Sequence, residues 1–400
     1  MNVFKSLQGI NMREYRKHFP VNWIDGMKIN KNHFIEQDDA WTDNLQEIAS
    51  LGLSPVRYGV LAASAAGENT FDVKISLDNQ ESLKVTVISC HAITLGGMRI
   101  AIPAMSTQGQ PDTGQVLTKT FPFSSAKSDS AWWIFLFVHP YEKQPAGSPD
   151  LAETPPRLPF VLPTYSLEII SDTNYREFAH HPYAIPIGKV LVNGNDIRIE
   201  DEYLPPCFSI AAHPDLLSLH EEMDKYYARI ELYCSQIVQK IYVKKQQNEI
   251  SELVMFLCDR VMLYLGQVIS TMRWKMMYDG PVDLFMSLAT LARIMKNTID
   301  LRIGSGKDEL MNYFSEWCEL NQGEMETMLG KMANAGFNNN DINKNIQQVV
   351  VFVRITSRLF ETLSKLEFIG KKKESGIFVK EESPQQQADA QQKAKRRFFG

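Results

Sequence analysis

The hydrophobic period of this chain changes once, near Pro214, and that change constrains the fold more than any other feature. From about Val56 to Ile199 the apolar residues fall in short alternating or β-branched runs divided by turns, which is the pattern of strands. The runs predict strands at Val56–Leu61, Phe71–Leu77, Leu83–Ser89, Ala92–Leu95, Met98–Ile102, Ala131–Val138, Tyr165–Ile170 and Lys189–Val192. Asn193-Gly194 between apolar runs favours a type I′ hairpin, because both central residues of that turn need positive φ. Ser106–Gly114 and Gln144–Pro163 read as loops; the second holds Pro145, Pro149, Pro155, Pro156, Pro159 and Pro163, too many for a helix or a central strand. Such spacing predicts an antiparallel β-sandwich of two sheets.

After Pro214 the period is helical. Pro214 suits a first helical position, where its missing N–H is not needed. Leu216, Leu219, Met223, Tyr226, Ile230, Tyr233 and Ile237 then follow at spacings of 3, 4, 3, 4, 3 and 4. That stripe fits either a coiled-coil or bundle seam or one amphipathic helix on a local core; read as a seam, it predicts trimerisation through this helix. Further helices are expected at Glu249–Tyr278, apolar around most of its circumference, and at Pro281–Arg302, Lys307–Asn334 and Asp341–Phe368. The run Asn338–Asn340 suits a loop and an N-cap. Beyond Gly370 the chain is rich in Gln and Lys, which predicts a disordered tail. At its end Arg396, Arg397, Phe398 and Phe399 form a candidate docking motif, against the plainer reading of a solubilising end. The expected organisation is a multidomain β + α chain: an N-terminal arm (1–20), a β-sandwich (21–211), a long-helix bundle (212–303), a further helical region (304–370) and the tail (371–400).

Composition excludes several functions. Forty-two Lys and Arg against 47 Asp and Glu give a net charge of −5, which argues against a dedicated nucleic-acid binder. Lys5, Arg13, Glu14, Arg16 and Lys17 interrupt any signal-peptide core, and Asp259 and Arg260 interrupt the apolar stretch Leu253–Ile269, so a cytoplasmic chain without a membrane span is expected. Cys90, Cys207, Cys234, Cys258 and Cys318 show no metal-binding or disulfide spacing and read as buried thiols. Gly304-Ser305-Gly306-Lys307-Asp308 lacks the first glycine and the Ser or Thr of a phosphate-binding loop, and reads as a turn between helices. His180 and His181 are adjacent and diverge; His33, near Asp25, Glu36, Asp38 and Asp39, reads as a hydrogen-bonding residue rather than a zinc ligand. With no acid–base pair, metal set or cofactor motif, the expectation is a protein that is not an enzyme and carries no cofactor.

Two stretches carry a family resemblance. Val21-Asn22-Trp23-Ile24-Asp25-Gly26-Met27-Lys28-Ile29-Asn30-Lys31-Asn32-His33-Phe34, followed by Gln37-Asp38, resembles the N-terminal signature of TssK, the trimeric baseplate protein of type VI secretion systems. Asp201-Glu202-Tyr203-Leu204-Pro205-Pro206-Cys207-Phe208-Ser209-Ile210-Ala211-Ala212-His213-Pro214 looks like that family's junction between sandwich and helix. A weaker match runs from Gly280-Pro281-Val282-Asp283-Leu284-Phe285 to Leu291-Ala292.

The resemblance implies a shell domain like the shoulder of phage receptor-binding proteins, then a helical bundle trimerising about a threefold axis, and no enzymatic activity. It implies that the shell attaches to the wedge proteins TssF and TssG, with Trp23, Gly26, Met27, His33 and Phe34 as candidate contacts, and that Pro205, Pro206 and Pro214 form a rigid elbow. With about 30 low-complexity residues after Gly370, the family's C-terminal head, which docks an inner-membrane complex of TssL and TssM, is expected to be missing or replaced by helices, and a membrane-side partner of another kind is expected. The competing expectation is a trimeric receptor- or carbohydrate-binding tail-tip protein of a phage-like particle, with the same architecture.

Overall fold

A twelve-residue strand, Ser82–Ile93, organises the first half of the protein. The structure, a computed structural model, describes residues 17–64, 69–78, 82–102, 116–122, 131–149, 151–193, 196–318 and 321–370. The tail, with Arg396, Arg397, Phe398 and Phe399, lies outside these residues, as do Lys5, Arg13 and Arg16. In order the elements are α1 (Lys31–Ser50), β1 (Gly59–Val60), β2 (Phe71–Leu77), β3 (Ser82–Ile93), β4 (Arg99–Ile102), β5 (Leu117–Pro122), β6 (Ala131–Ala146), β7 (Phe160–Ser171), α2 (Tyr175–Phe178), β8 (Ala184–Asn193), β9 (Asp196–Ile199), α3 (Pro214–Val243), α4 (Glu249–Trp274), α5 (Pro281–Asp300), α6 (Lys307–Cys318), α7 (Gln322–Ala333) and α8 (Ile342–Lys365).

β3 pairs antiparallel with β1 and β2 along one edge and with β4 and β5 along the other. The second sheet has the order β7-β6-β8-β9, also antiparallel. Leu83, Val85 and Val87 of β3, Ile134, Leu136 and Val138 of β6, and Ile185, Ile187 and Val190 of β8 fill one core between the sheets. The alternate residues of β6, Trp133, Phe135 and Phe137, point to the other face and pack with Ile170, Ala184 and Tyr203. β6 is thus buried on both faces, which is why Ala131–Val138 is an unbroken apolar run rather than an alternating one. The expected sandwich is present.

Three expectations about the strands change. β3 runs through Cys90 and His91, so two predicted strands are one. β6 and β7 extend into Gln144–Pro163, pairing Lys143 with Pro163 and Ala146 with Phe160 beyond an irregularity after His139. Pro145 and Pro163 sit where β6 pairs with β7 alone, away from the middle of the sheet, where missing N–H donors are tolerated. The hairpin forms between β8 and β9, but Asn193 pairs with Asp196 and ends β8, so it is not a central, positive-φ residue of the turn as its Asn-Gly implied.

The chain divides into two compact units, Met1–His213 with Asn338–Asn343, and Pro214–Phe337 with Lys344–Gly400. The first boundary falls two residues beyond the expected one, and a six-residue segment, the last four residues before α8 and the first two of α8 itself, joins the β unit. Pro205 and Pro206, the expected rigid elbow, lie within the β unit. Both are buried, with Val60 N–H donating to Pro206 O at 2.8 Å and Phe208 N–H to Val60 O at 2.9 Å. Gly59 permits this approach: at φ +116°, a Cβ there would lie 1.9 Å from Pro206 O. The prolines therefore fix the return of the chain to β1, and the crossing into the helical unit comes later, at Pro214, the first residue of α3.

In the helical unit the α3 stripe is already covered. Leu216, Leu219, Met223, Tyr226, Ile230 and Ile237 are buried within the single chain, and Tyr233 is half-buried. Tyr226 OH pairs with Thr356 Oγ1 of α8 at 2.7 Å, Tyr227 OH with Ser287 Oγ of α5 at 2.9 Å, and His220 Nε2 with Met272 O of α4 at 2.7 Å. Tyr227, Cys234 and Ile241 are buried too, so the buried face advances by about 3.6 residues a step, the pitch of a straight helix. The stripe is the core of its own unit, and its burial needs no second chain.

The predicted helix over 307–334 is two helices, the second capped by Asn321, whose Oδ1 accepts from Gly323 N–H at 2.9 Å. The glycine-rich string is the expected turn: Gly304 and Gly306 take positive φ, and Lys307 Nζ is held by Asp300 at 2.9 Å and Glu326 at 2.8 Å. α4 is long and apolar enough to cross a bilayer by length and composition. Asp259 and Arg260 lie on its exposed side, while Leu253, Val254, Leu257, Cys258, Val261 and Leu265 are buried inside the unit. All five cysteines are buried thiols, and burial pushes Cys90 and Cys318 up to about 12, far from thiolate chemistry.

Candidate interaction site on the first helix

Residues 31–50 form a helix because Asn30 caps it. Its Oδ1 accepts from Asn32 N–H at 2.9 Å and from His33 N–H, while His33 Nδ1 faces Asn30 N–H at 3.4 Å. His33 is thereby a capping residue, the hydrogen-bonding role expected of it.

The helix is amphipathic in the inverted sense. Its buried residues are Asp39, Ala40, Asp43 and Gln46. Lys143 Nζ donates to Asp39 Oδ1 at 2.8 Å, the Tyr141 hydroxyl donates to Asp43 Oδ1, and Gln46 Nε2 meets Met98 Sδ at 3.6 Å. Gly97, at φ +86°, brings the β3–β4 turn against the helix; a Cβ there would lie 2.5 Å from Gln46 O. The preceding arm is tied down as well, Lys17 and His18 N–H donating to Asp43 Oδ2 at 2.9 and 2.8 Å, and Val21 N–H to Gln37 Oε1 at 3.1 Å.

With polar side chains facing the sandwich, the apolar ones face outward. Phe34, Trp41, Leu45 and Ile48 are 58%, 59%, 64% and 66% exposed, and at intervals of 7, 4 and 3 residues they line one side of the helix. Trp23, 47% exposed, packs on the start of this row, its ring centroid 6.1 Å from Phe34 and 6.2 Å from His33. Ile24, Ile29, Ile35 and Leu51 are exposed around it. A contiguous exposed apolar surface of this kind marks a protein-interaction site, because leaving it in water has no stabilising return.

Of the candidate contacts, the structure therefore brings Trp23, His33 and Phe34 together at one end of the row. Met27 is half-buried, and Gly26 takes positive φ in the intervening turn with open space around it. Trp41, Leu45 and Ile48, the greater part of the surface, were not among the residues the sequence singled out. Their signal was their helical spacing. Elsewhere His180 is exposed, whereas His181 is half-buried against the Phe137 ring at 5.1 Å and accepts from Tyr183 N–H at 3.1 Å. Among the described residues no group of three or more His, Cys, Asp or Glu is placed to hold a metal.

The attachment of the helix depends on the charge of Asp43. Burial by itself works against that charge, but the Tyr141 hydroxyl and the His18 and Lys17 N–H groups outweigh it and hold the carboxyl below its ordinary 3.8. A carboxyl depressed on folding stabilises the fold at pH values above its ordinary pKa, and that contribution is lost as the pH falls through the lower folded value. Asp43→Asn should therefore lower the thermal midpoint at neutral pH and flatten the decline below about pH 4. Melting curves of both proteins between about pH 2.5 and 7 check this; parallel profiles would show that Asp43 does not hold the helix through its charge.

No protein-family model matches the chain, and no curated protein matches it. Among solved structures the chain is similar to TssK of the type VI secretion system of EAEC in complex with a nanobody, at 13% identity and a TM-score of 0.42, over 82% of this chain and 99% of that one. It is similar to a chain of the TssK–TssF–TssG baseplate subcomplex at 15% identity and a TM-score of 0.40, over 86% of this chain and 100% of that one. A third likeness is to a chain of the type VI secretion baseplate complex, at 12% identity and a TM-score of 0.44, over 86% and 99%.

Proposed function

We propose that this protein is a TssK-like structural component of a type VI secretion baseplate, an adaptor whose β unit docks wedge proteins of the TssF and TssG kind. The observation that carries the reading is the outward apolar face of α1. It begins within the stretch Val21–Phe34 that resembles the TssK signature, and an uncovered row of Phe34, Trp41, Leu45 and Ile48 suits assembly rather than chemistry. The motif at 201–214 supports it in the same way, since it closes the β unit and starts α3. The role is structural, on the cytoplasmic side of the membrane, with no enzymatic step. A homotrimer and a membrane-side partner complete the proposal; with the α3 stripe buried in its own unit, any threefold contact uses other surfaces, such as the exposed Leu232 and Leu263 of α3 and α4.

Co-expression with the TssF- and TssG-like proteins of the same organism tests the reading. The expected result is a stable complex that survives purification. Absence of any complex, with all components folded, would overturn it.

A further inference from the structure

The segment Asn338–Asn343 is the one part of the β unit that does not come from the first 213 residues. Asn339, Asn340, Asp341 and Asn343 are nevertheless buried there. Asn340 is read on three sides: its Oδ1 accepts from the Tyr58 hydroxyl, its Nδ2 donates to Ala179 O at 2.7 Å, and its backbone O accepts from Tyr203 OH at 2.8 Å. Burial pushes the Tyr58 and Tyr203 hydroxyls up, so both remain donors. Asn339 Nδ2 donates to Tyr58 O at 2.9 Å, and Asn343 Nδ2 to Glu202 O at 2.6 Å. Asp341 Oδ2 meets Lys189 Nζ at 2.9 Å; Lys189 in turn lies 3.4 Å from Glu200 Oε2 and 4.8 Å from the centre of the Trp133 ring.

This is how a peptide site is built. Carboxamides and a carboxylate are held by directional hydrogen bonds and one ion pair, and Ile342, the first residue of α8, is the buried apolar member of the same segment. The residues on either side, Phe337 and Lys344, belong to the helical unit, so the β unit takes six residues and no more.

We propose that the β unit carries a peptide-acceptor site for an Asn-Asn-Asp segment, and that the chain's own residues 338–343 occupy it as an internal ligand that docks and leaves as one piece. Hydrogen bonds traded against water give a small net stabilisation each. The segment is therefore expected to open at lower free energy than the sheets beneath it.

Hydrogen exchange of the full-length protein, with a dye-labelled peptide spanning residues 336–345, tests this. Amides of 338–343 should exchange at least about 100-fold faster than those of β3, by local opening. Wild-type protein should not bind the peptide, because the tethered segment competes at an effective concentration of about millimolar. Asn340→Ala, which weakens the internal ligand, should bind it saturably. Asn343→Ala, at the edge of the segment, provides the same readout if the first variant does not fold. Adding Lys189→Met to either should weaken peptide binding at least about tenfold, as loss of the ion-paired partner of Asp341 requires. Exchange of 338–343 only on global unfolding, or no saturable binding by the weakened variants, would make the segment ordinary core and overturn the proposal.

Discussion

Replacing Trp41 and Leu45 together by aspartate should abolish recovery of the wedge complex while leaving the protein as stable as wild type. Both side chains are more than half exposed, so their substitution removes little buried area from the folded chain, and surface changes of this kind fall within about 0.5 kcal/mol. In an interface the arithmetic reverses. A buried Trp or Leu contributes about 1.5–3 kcal/mol in area alone, and large central anchors cost 2 kcal/mol or more on truncation. Two such losses, with two carboxylates forced into a desolvated contact, lower affinity by at least about a thousandfold. Circular dichroism melts and co-purification give the two readouts. A complex that survives the double substitution would place docking elsewhere on the β unit. A lowered midpoint would mean that the α1 row packs on the protein itself.

The sequence made this helix hard to see because it is inside out. Apolar spacing is read on the premise that apolar residues face inward, and α1 buries Asp39, Asp43 and Gln46 instead. Each finds a partner brought by another element, Lys143, Tyr141 and Met98, and no local pattern announces those partners. The motif at 21–34 drew attention to Trp23, Met27, His33 and Phe34, yet it stopped about two turns short of Trp41. β5 was missed for a related reason: Thr118, Lys119 and Thr120 are exposed and polar. Strands such as Phe71–Leu77 and the core of β6 were legible, because their side chains take their burial from the sheet pattern itself.

The same limit explains Asn338–Asn343. Consecutive asparagines signal a turn, and a turn does form, with Asp341 N–H donating to Asn338 O at 3.1 Å. What the local pattern does not carry is that Tyr58 and Tyr203, at least 135 residues away, bury it. Local chemistry specified the bend, and long-range polar pairing specified its place.

Ile230→Asp should unfold the helical unit rather than release subunits from an assembly. A heptad spacing records only that one side of a helix is covered, not by which chain, and in α3 the cover comes from within. Ile230 has no solvent exposure in the single chain, so the substitution removes a buried aliphatic side chain and leaves an unpaired carboxylate in its place. Losing the side chain costs about 2–5 kcal/mol, and an uncompensated buried charge adds about 3–5 kcal/mol unless the carboxyl stays protonated. Against a total stability of about 5–15 kcal/mol, little remains. Leu232, on the exposed side of the same helix, supplies the contrast: Leu232→Asp should keep its helical signal and cooperative transition, because the side chain is more than half exposed and little buried area is lost. Far-ultraviolet circular dichroism and light scattering on both variants separate the alternatives. A helical, cooperatively folded Ile230→Asp protein of reduced mass would mean that the stripe faces a second chain; loss of helicity places it in the core of its own.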